Sequence, residues 1–158
     1  MTERKLLSIY LNDHYAASLA GHEVAARAAK SNEGNRFGRY LAQLVTEVEG
    51  ERTELEHVMQ ELDISIDRLK VSAAWTAEKF GRLKLNGRLR DYSPLSRVIE
   101  LEALCAGINA KLGLWHALEL WRSKGEPVPP IDLTKLIDQA EEQRARVEEL
   151  RLKAIELL

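Results

Sequence analysis

The sequence predicts an all-α protein, a four-helix bundle with one long crossover between its second and third helices. Three observations predict this fold. Apolar residues recur at intervals of three and four over four segments of similar length. All four prolines lie at residue 94 or beyond, so none interrupts the first 93 residues. Two short connections and one connection of about thirty residues separate the segments.

The first two helices are predicted over residues 3–30 and 35–62. Their apolar or small positions, spaced by three and four, are Leu7, Leu11, Ser18, Gly21, Ala25 and Ala28, and then Leu41, Leu44, Val48, Leu55, Val58 and Leu62. Residues 31–34, Ser-Asn-Glu-Gly, are typical of a helix stop and a turn. Because this connection is short, the two helices must be antiparallel.

The third and fourth helices are predicted over residues 94–123 and 132–157. Ser93 is an N-cap residue and Pro94 suits the first helical position. Gly125 follows a basic last turn and is typical of a helix C-terminus. After a short proline-rich connector, Asp132 caps the last helix, and this pair is also antiparallel.

The crossover, residues 63–93, is long enough to run the length of the bundle. We expect it to contain an extra short helix over residues 67–83 and to make the second and third helices parallel. The alternative is five helices packed up and down, with 67–83 as a core member. In both cases residues 1–158 are expected to form a single domain.

Three stretches carry a family resemblance: Tyr-Leu-Asn-Asp-His at 10–14, Trp-Thr-Ala-Glu-Lys-Phe-Gly-Arg-Leu-Lys-Leu-Asn-Gly at 75–87, and 93–102 with Ser-Pro-Leu-Ser and Glu-Leu-Glu. With them the chain resembles a group of uncharacterised bacterial four-helix proteins, which brings no function to carry over. In its helix lengths and single long crossover it resembles the ferritin-like superfamily. That resemblance implies a ferritin-like bundle with a long B–C crossover.

The superfamily resemblance also raises the question of a di-iron site. Its di-iron members place a Glu on each of two helices and a Glu-x-x-His on each of the other two. This chain has a single Glu-x-x-His, Glu54 to His57, beside the apolar stripe, and its fourth helix has no histidine. A complete di-iron site is therefore not expected.

Polar residues that interrupt or flank the apolar stripes are the candidates for a site. They are, helix by helix, His14; Glu51; Glu102, Asn109, His116 and Glu119; and Gln143 and Arg144. One interpretation is a buried polar layer that includes Asn109, Gln143 and Arg144, with Arg144 paired to Glu51 or Glu102, because buried charges need partners.

The second interpretation of the same residues is a mononuclear or degenerate metal site. Its ligands are His14, Glu51, Glu102 and His116. Two imidazoles and two carboxylates suit Fe, Mn or Zn. A cationic Arg144 in the same layer opposes a metal ion, so the polar layer is the favoured interpretation.

The crossover is also the basic part of the chain. Seven basic residues lie between Arg68 and Arg90 against one acid, Glu78. The candidate basic surface is Lys79, Arg82, Lys84, Arg88 and Arg90. It is suited to anions or nucleic acid. Residues 47–63, rich in acids, offer an internal or dimer partner instead, which makes nucleic acid the less favoured alternative.

Composition leaves function open. The net charge of −2 gives no general attraction to nucleic acid or membranes. A single cysteine, Cys105, and the absence of a recognisable signal peptide or apolar run of membrane-spanning length lead us to expect a cytoplasmic protein. The leading expectation is a non-enzymatic protein acting through an unknown protein partner or as a homo-oligomer, a dimer. The alternatives are a metal-binding redox protein and an anion-binding protein.

Overall fold

The computed structural model describes residues 3–72 and 92–158, which are mostly helical, with no strand among them. Four long helices follow one another: α1 (Glu3–Ser31), α2 (Arg36–Glu61), α3 (Pro94–Ser123) and α4 (Leu133–Ile155). Each lies within two residues of its predicted bounds. The chain is therefore all-α, as predicted. Residues 68–72 are also helical, and the rest of the predicted 67–83 helix lies outside the described residues.

The helices begin where polar caps were predicted. The Ser93 hydroxyl accepts from the Ser96 amide and completes a capping box at the start of α3. The Asp132 carboxylate accepts from the Lys135 amide, 3.0 Å away, at the start of α4. These caps bond amide groups that the first helical turn leaves without partners.

The turn between α1 and α2 depends on two glycines. Gly34 has φ +84°, a conformation that L side chains rarely adopt. Gly38, in the first turn of α2, packs directly on the preceding backbone. A Cβ atom there would lie 2.1 Å from the carbonyl oxygen of Asn32. A side chain at residue 38 therefore has no room unless the helix moves.

Hydrogen bonds at both ends of the crossover show the direction of α3. Near the start of α1, the Asn12 amide donates to the Ser65 carbonyl at 3.1 Å, and its carbonyl oxygen accepts from the Asp67 amide at 2.6 Å. At the end of α1, Asn32 donates to the Tyr92 hydroxyl at 2.7 Å and accepts from Arg97 at 2.6 Å. The chain thus leaves α2 at one end of the bundle and enters α3 at the other, so α2 and α3 run parallel.

The packing order follows from this connectivity. α1 packs along α2 and α3, α3 packs along α4, and α2 meets α4 at few points. The buried apolar residues fall into two clusters, one at each end of the bundle. The first includes Leu11, Val58, Trp115 and Leu136, and the second includes Ala25, Leu41, Leu101 and Leu150. Between the two clusters lies the polar middle of the bundle.

Among residues 3–72 and 92–158, no helix combines the length and the apolar character needed to cross a lipid bilayer. The choice between an extra crossover helix and a fifth core helix concerns residues 73–83, which lie outside the described residues.

Candidate functional site

A buried polar layer separates the two apolar clusters. It consists of Glu47 and Glu51 on α2, Lys111 on α3 and Gln143 on α4. The Lys111 ammonium donates to Glu51 Oε2 and to Gln143 Oε1, and Gln143 Nε2 donates to Glu47 Oε2 at 2.8 Å. The layer therefore links three helices through charged and amide groups in the middle of an aliphatic core.

The ion pair at the centre of this layer is deeply buried. The side chain of Glu51 is 3% exposed and that of Lys111 is 16% exposed. Burial raises the pKa of the Glu51 carboxyl and lowers the pKa of the Lys111 ammonium. In each case the opposite charge of the partner opposes the effect of burial. The two groups depend on each other to stay ionised.

A cavity of about 70 Å³ lies beside this pair, between α1, α2 and α3. Aliphatic side chains form most of its wall, including Leu44, Leu55, Leu104, Ile108 and Leu114. Its polar wall consists of His14, Ser18, Glu51, Arg52 and Lys111. Ala17, Gly107 and Ala110, which also line it, are exposed, so the cavity reaches the surface between α1 and α3. We call this space the central cavity.

Two residues that line the central cavity each carry a buried side-chain atom with no hydrogen-bonding partner among the described residues. The atoms are Glu51 Oε1, an acceptor, and Trp115 Nε1, whose N–H is a donor. Trp115 is 1% exposed. Such groups are uncommon because the large majority of buried side-chain polar atoms are hydrogen-bonded. Both atoms are fully buried, so neither is exposed to the space of the cavity.

His14 also reaches the central cavity. It is half-buried on α1, and its ring packs edge-on against Tyr10, with 4.6 Å between ring centroids. Burial lowers the pKa of the imidazole, and the neighbouring Asp13 carboxylate opposes that shift. Near neutral pH the ring is therefore the neutral form, which both donates and accepts hydrogen bonds.

Of the residues predicted for a buried polar layer, the structure places Glu51 and Gln143 in the layer. Gln143 is the inward residue of α4 and is 1% exposed, whereas Arg144 beside it is exposed. Asn109 on α3 is exposed as well. The cation that pairs with Glu51 is Lys111, one residue before the stripe position Leu112. Arg144 therefore fills no space in the core.

The predicted metal ligands are not brought together. Glu51 and His14 line the central cavity. Glu102 is exposed and lies 3.6 Å from Arg151, and His116 is exposed and lies 3.6 Å from Glu119. Within the described parts of the chain, no group of three or more His, Cys, Asp or Glu side chains is placed to hold a metal ion.

The physical reason is a rotation about the α3 axis. Residues 102, 109 and 116 each follow a core residue by one position, which turns them by about 100° away from the core at 3.6 residues per turn. Their seven-residue spacing keeps them on one face of α3, and that face is the outer one.

The other candidates lie outside the core or outside the described residues. The basic surface (Lys79, Arg82, Lys84, Arg88 and Arg90) falls in residues 73–91, which the structure does not describe. Cys105 is half-buried, with its Sγ 3.8 Å from Glu148 Oε2, and burial raises the pKa of its thiol. This keeps the thiol protonated near neutral pH.

Sequence reasoning missed Lys111 and the role of Trp115. One signal for Lys111 was available: it is the only Asp, Glu, Lys or Arg between Glu102 and Glu119. Trp115 belongs to the apolar stripe, and nothing in the sequence marks its N–H as unpartnered.

Comparison of the chain with models of protein families, with curated proteins and with solved structures gave no match. The interpretation of the site therefore depends on its own chemistry.

Proposed function

We propose that this protein is a small-molecule binding protein whose site is the central cavity. The observation that carries the proposal is the central cavity itself, a space of about 70 Å³ beside the buried pair of Glu51 and Lys111 that is lined mostly by aliphatic side chains. A bound molecule that covers this apolar lining removes it from water, which stabilises the complex by about 25 cal/mol for each Å² buried.

The size of the cavity limits the ligand. A cavity of about 150 Å³ holds benzene, so 70 Å³ accommodates on the order of three non-hydrogen atoms. The best small ligands gain at most about 1.5 kcal/mol for each such atom. Three atoms then give at most about 4.5 kcal/mol, a Kd of about half a millimolar. We expect affinities in the millimolar range.

We further propose that the bundle is ferritin-like in its connectivity. The support is the parallel course of α2 and α3 and the antiparallel pairs on either side. Proteins of that architecture build their sites in the bundle core from side chains on facing helices. Here those positions hold Glu51 and Lys111. The Lys111 ammonium beside the Glu51 carboxylate repels a bound cation. Binding of an uncharged molecule is therefore better supported than metal-dependent redox chemistry.

The test uses two exposed glycines of α3, one that lines the central cavity and one that does not. A Cβ atom added at Gly107 or Gly113 meets nothing within 4 Å, and both residues are exposed. Gly107 lines the central cavity and Gly113 does not. Gly107→Leu is expected to place its side chain over the cavity, and Gly113→Leu is the matched control for the change in residue type.

The measurement is xenon binding, followed by NMR through the side-chain methyl signals of Leu104 and Ile108. Xenon is expected to shift these signals saturably in the wild-type protein and in Gly113→Leu, and not in Gly107→Leu. If xenon leaves them unchanged in the wild type, or if the two variants respond alike, the central cavity is not a binding site.

A role in protein contacts, the first expectation from the sequence, is the second candidate function. One observation favours it: large apolar side chains are exposed where α3 begins and α4 ends. These are Tyr92, Leu95, Leu152 and Ile155. A homodimer through this end predicts that Leu152→Glu lowers the mass measured by light scattering, whereas Leu120→Glu, exposed at the opposite end, leaves it unchanged. A monomeric wild-type protein would exclude the homodimer.

A further inference from the structure

The lining of the central cavity also bears on the chemical class of its ligand. We propose that the ligand is an apolar molecule of about three non-hydrogen atoms, a short hydrocarbon without a hydroxyl, amide or charged group. The inference rests on the proposed binding function and adds to it a rule for which small molecules bind.

The ion pair beside the cavity is satisfied by other protein groups. The Lys111 ammonium donates to Glu51 Oε2 and to Gln143 Oε1. The side chain of Glu51 is only 3% exposed, and its second carboxylate oxygen, Oε1, is fully buried. Because the two charges neutralise each other, the pair offers no counter-charge to an ionic ligand. A polar ligand would have to compete with the bonds that the pair already makes.

Three further polar side chains of the lining are likewise turned to the protein. The Ser18 hydroxyl donates to the Tyr15 carbonyl oxygen at 2.7 Å. Arg52 lies within 4.0 Å of two carboxylates of its own helix, which balance its charge. Trp115 Nε1 is fully buried, so its N–H is not exposed to the space of the cavity. None of these groups therefore favours a polar ligand over an apolar one.

His14 is the remaining polar residue of the lining. Its ring packs edge-on against Tyr10, with 4.6 Å between ring centroids. Burial lowers the pKa of the imidazole, so the ring carries no charge near neutral pH. His14 therefore gives an ionic ligand no counter-charge, and it is the one wall group through which an uncharged polar ligand would be held.

Aliphatic side chains form most of the remaining wall. They come from α2 and α3 and are Leu44, Leu55, Leu104, Ile108 and Leu114. Moving a hydroxyl or an amide from water into such surroundings without a compensating hydrogen bond is costly, and moving an ion is far more costly. A hydrocarbon avoids both costs, and cavities lined by Leu and Ile side chains bind apolar molecules such as benzene or xenon.

The mouth and the volume of the cavity set the size of the ligand. The mouth lies between α1 and α3 and is lined by small residues, including Ala17, Gly21 and Gly107. A Cβ atom added at Gly21 or Gly107 meets no described atom within 4 Å, so the space beside each glycine is open. Since about 150 Å³ holds benzene, the volume of about 70 Å³ matches a body of about three carbons.

The experiment titrates the full-length protein with four probes that each have three non-hydrogen atoms: propane, ethanol, ethylammonium and formate. Binding is followed by NMR through the side-chain methyl signals of Leu104 and Ile108. We expect propane to shift these signals saturably, with a Kd in the millimolar range. The Kd of each other probe is expected to be at least about tenfold higher, because each carries a polar or charged group into an aliphatic space.

A second measurement changes the polarity of the wall at one position. Ile108→Thr and Ile108→Val give side chains of similar shape that differ in one hydroxyl group. The ratio of the ethanol Kd to the propane Kd, followed through Leu104, is expected to be at least about threefold lower in Ile108→Thr than in Ile108→Val. An equal ratio would mean that the polarity of the wall does not select the ligand. If Ile108→Thr does not fold, the wild-type titrations alone decide the matter.

The outcomes separate the ligand class from the binding function. If xenon enters the wild-type cavity but propane does not bind, or if another probe binds as tightly as propane, the proposed class is wrong and the cavity remains a binding site. If neither xenon nor any probe moves the signals of Leu104 and Ile108, both proposals are overturned.

Discussion

Replacing Lys111 with methionine tests the buried ion pair most directly. Methionine keeps a long unbranched side chain but removes the ammonium that donates to Glu51 and Gln143. The carboxylate of Glu51, 3% exposed, then has no cation beside it. The change therefore isolates the effect of the charge from the effect of filling space.

The expected loss of stability is large. Removing one partner of a buried ion pair costs about 3–5 kcal/mol, because the other charge stays buried and unpaired. Since a domain is stable by only about 5–15 kcal/mol, this is a major fraction of the total. The double variant Lys111→Met with Glu51→Met removes both charges, which is often neutral or stabilising by about 1–4 kcal/mol. Gln143 then lacks a donor for its oxygen, at about 1–3 kcal/mol.

These opposing contributions place the double variant within about 3 kcal/mol of the wild type. The single variant Lys111→Met is thus expected to be less stable than the double variant, although it carries fewer substitutions. Nonadditivity of this kind is the signature of two residues that interact.

The pH dependence gives an independent check. Without Lys111, the pKa of Glu51 rises further above its usual value of 4.5, because burial and the nearby Glu47 carboxylate both raise it. Between 4.5 and that raised pKa, the folded state holds a proton that the unfolded state releases. The free energy of unfolding of Lys111→Met therefore falls as the pH rises through this window, and its deficit is smallest below it.

The assay is urea unfolding followed by circular dichroism for the wild type, both single variants and the double variant, at several pH values. A loss below about 1 kcal/mol in Lys111→Met, the range of exposed pairs, would refute the reasoning. So would a deficit that does not change with pH.

Three further predictions concern the backbone and the thiol. Gly38→Ala should lower the free energy of unfolding by about 1–3 kcal/mol, because its Cβ clashes with Asn32. Gly50→Ala, where a Cβ meets nothing within 4 Å, should raise the free energy of unfolding by about 0.5–1 kcal/mol. Equal effects of the two variants in urea unfolding would contradict this. Asn12→Ala should lower the free energy of unfolding by about 1–3 kcal/mol and speed proteolysis after residue 65, because it removes the bonds to Ser65 and Asp67; an unchanged proteolysis rate would contradict this. Cys105 should alkylate more slowly than free cysteine near neutral pH, because burial raises its pKa; an equal rate would count against its burial.

The helices were predictable because their signals are local. Proline at residue 94, the cap residues Ser93 and Asp132, and Gly125 after α3 each act within one turn of chain. The direction of α3 also followed from the sequence, since only a connection of about thirty residues allows a return along the bundle. These features depend on chain length and backbone chemistry, and both can be read directly from the sequence.

The site was less predictable because it depends on side-chain reach and helix rotation. Glu51 and Gln143 were identified because each falls on a core position. Lys111 lies beside the stripe, and its long aliphatic stem carries the ammonium to Glu51. Conversely, Glu102 and His116 share a face of α3, and periodicity alone does not show whether such a face turns inward.

The polar layer has a consequence for how far the helices can slide along one another. A shift of α3 by one turn moves it about 5.4 Å along its neighbours. Within the two apolar clusters such a shift exchanges one aliphatic contact for another. A shift toward the C-terminal end of α2 would carry the Lys111 ammonium from Glu51 toward Leu55, one turn along α2, and leave two buried charges apart. A pair that adds little net stability thus opposes sliding of α3 in that direction, and Gln143 links α4 to the same layer.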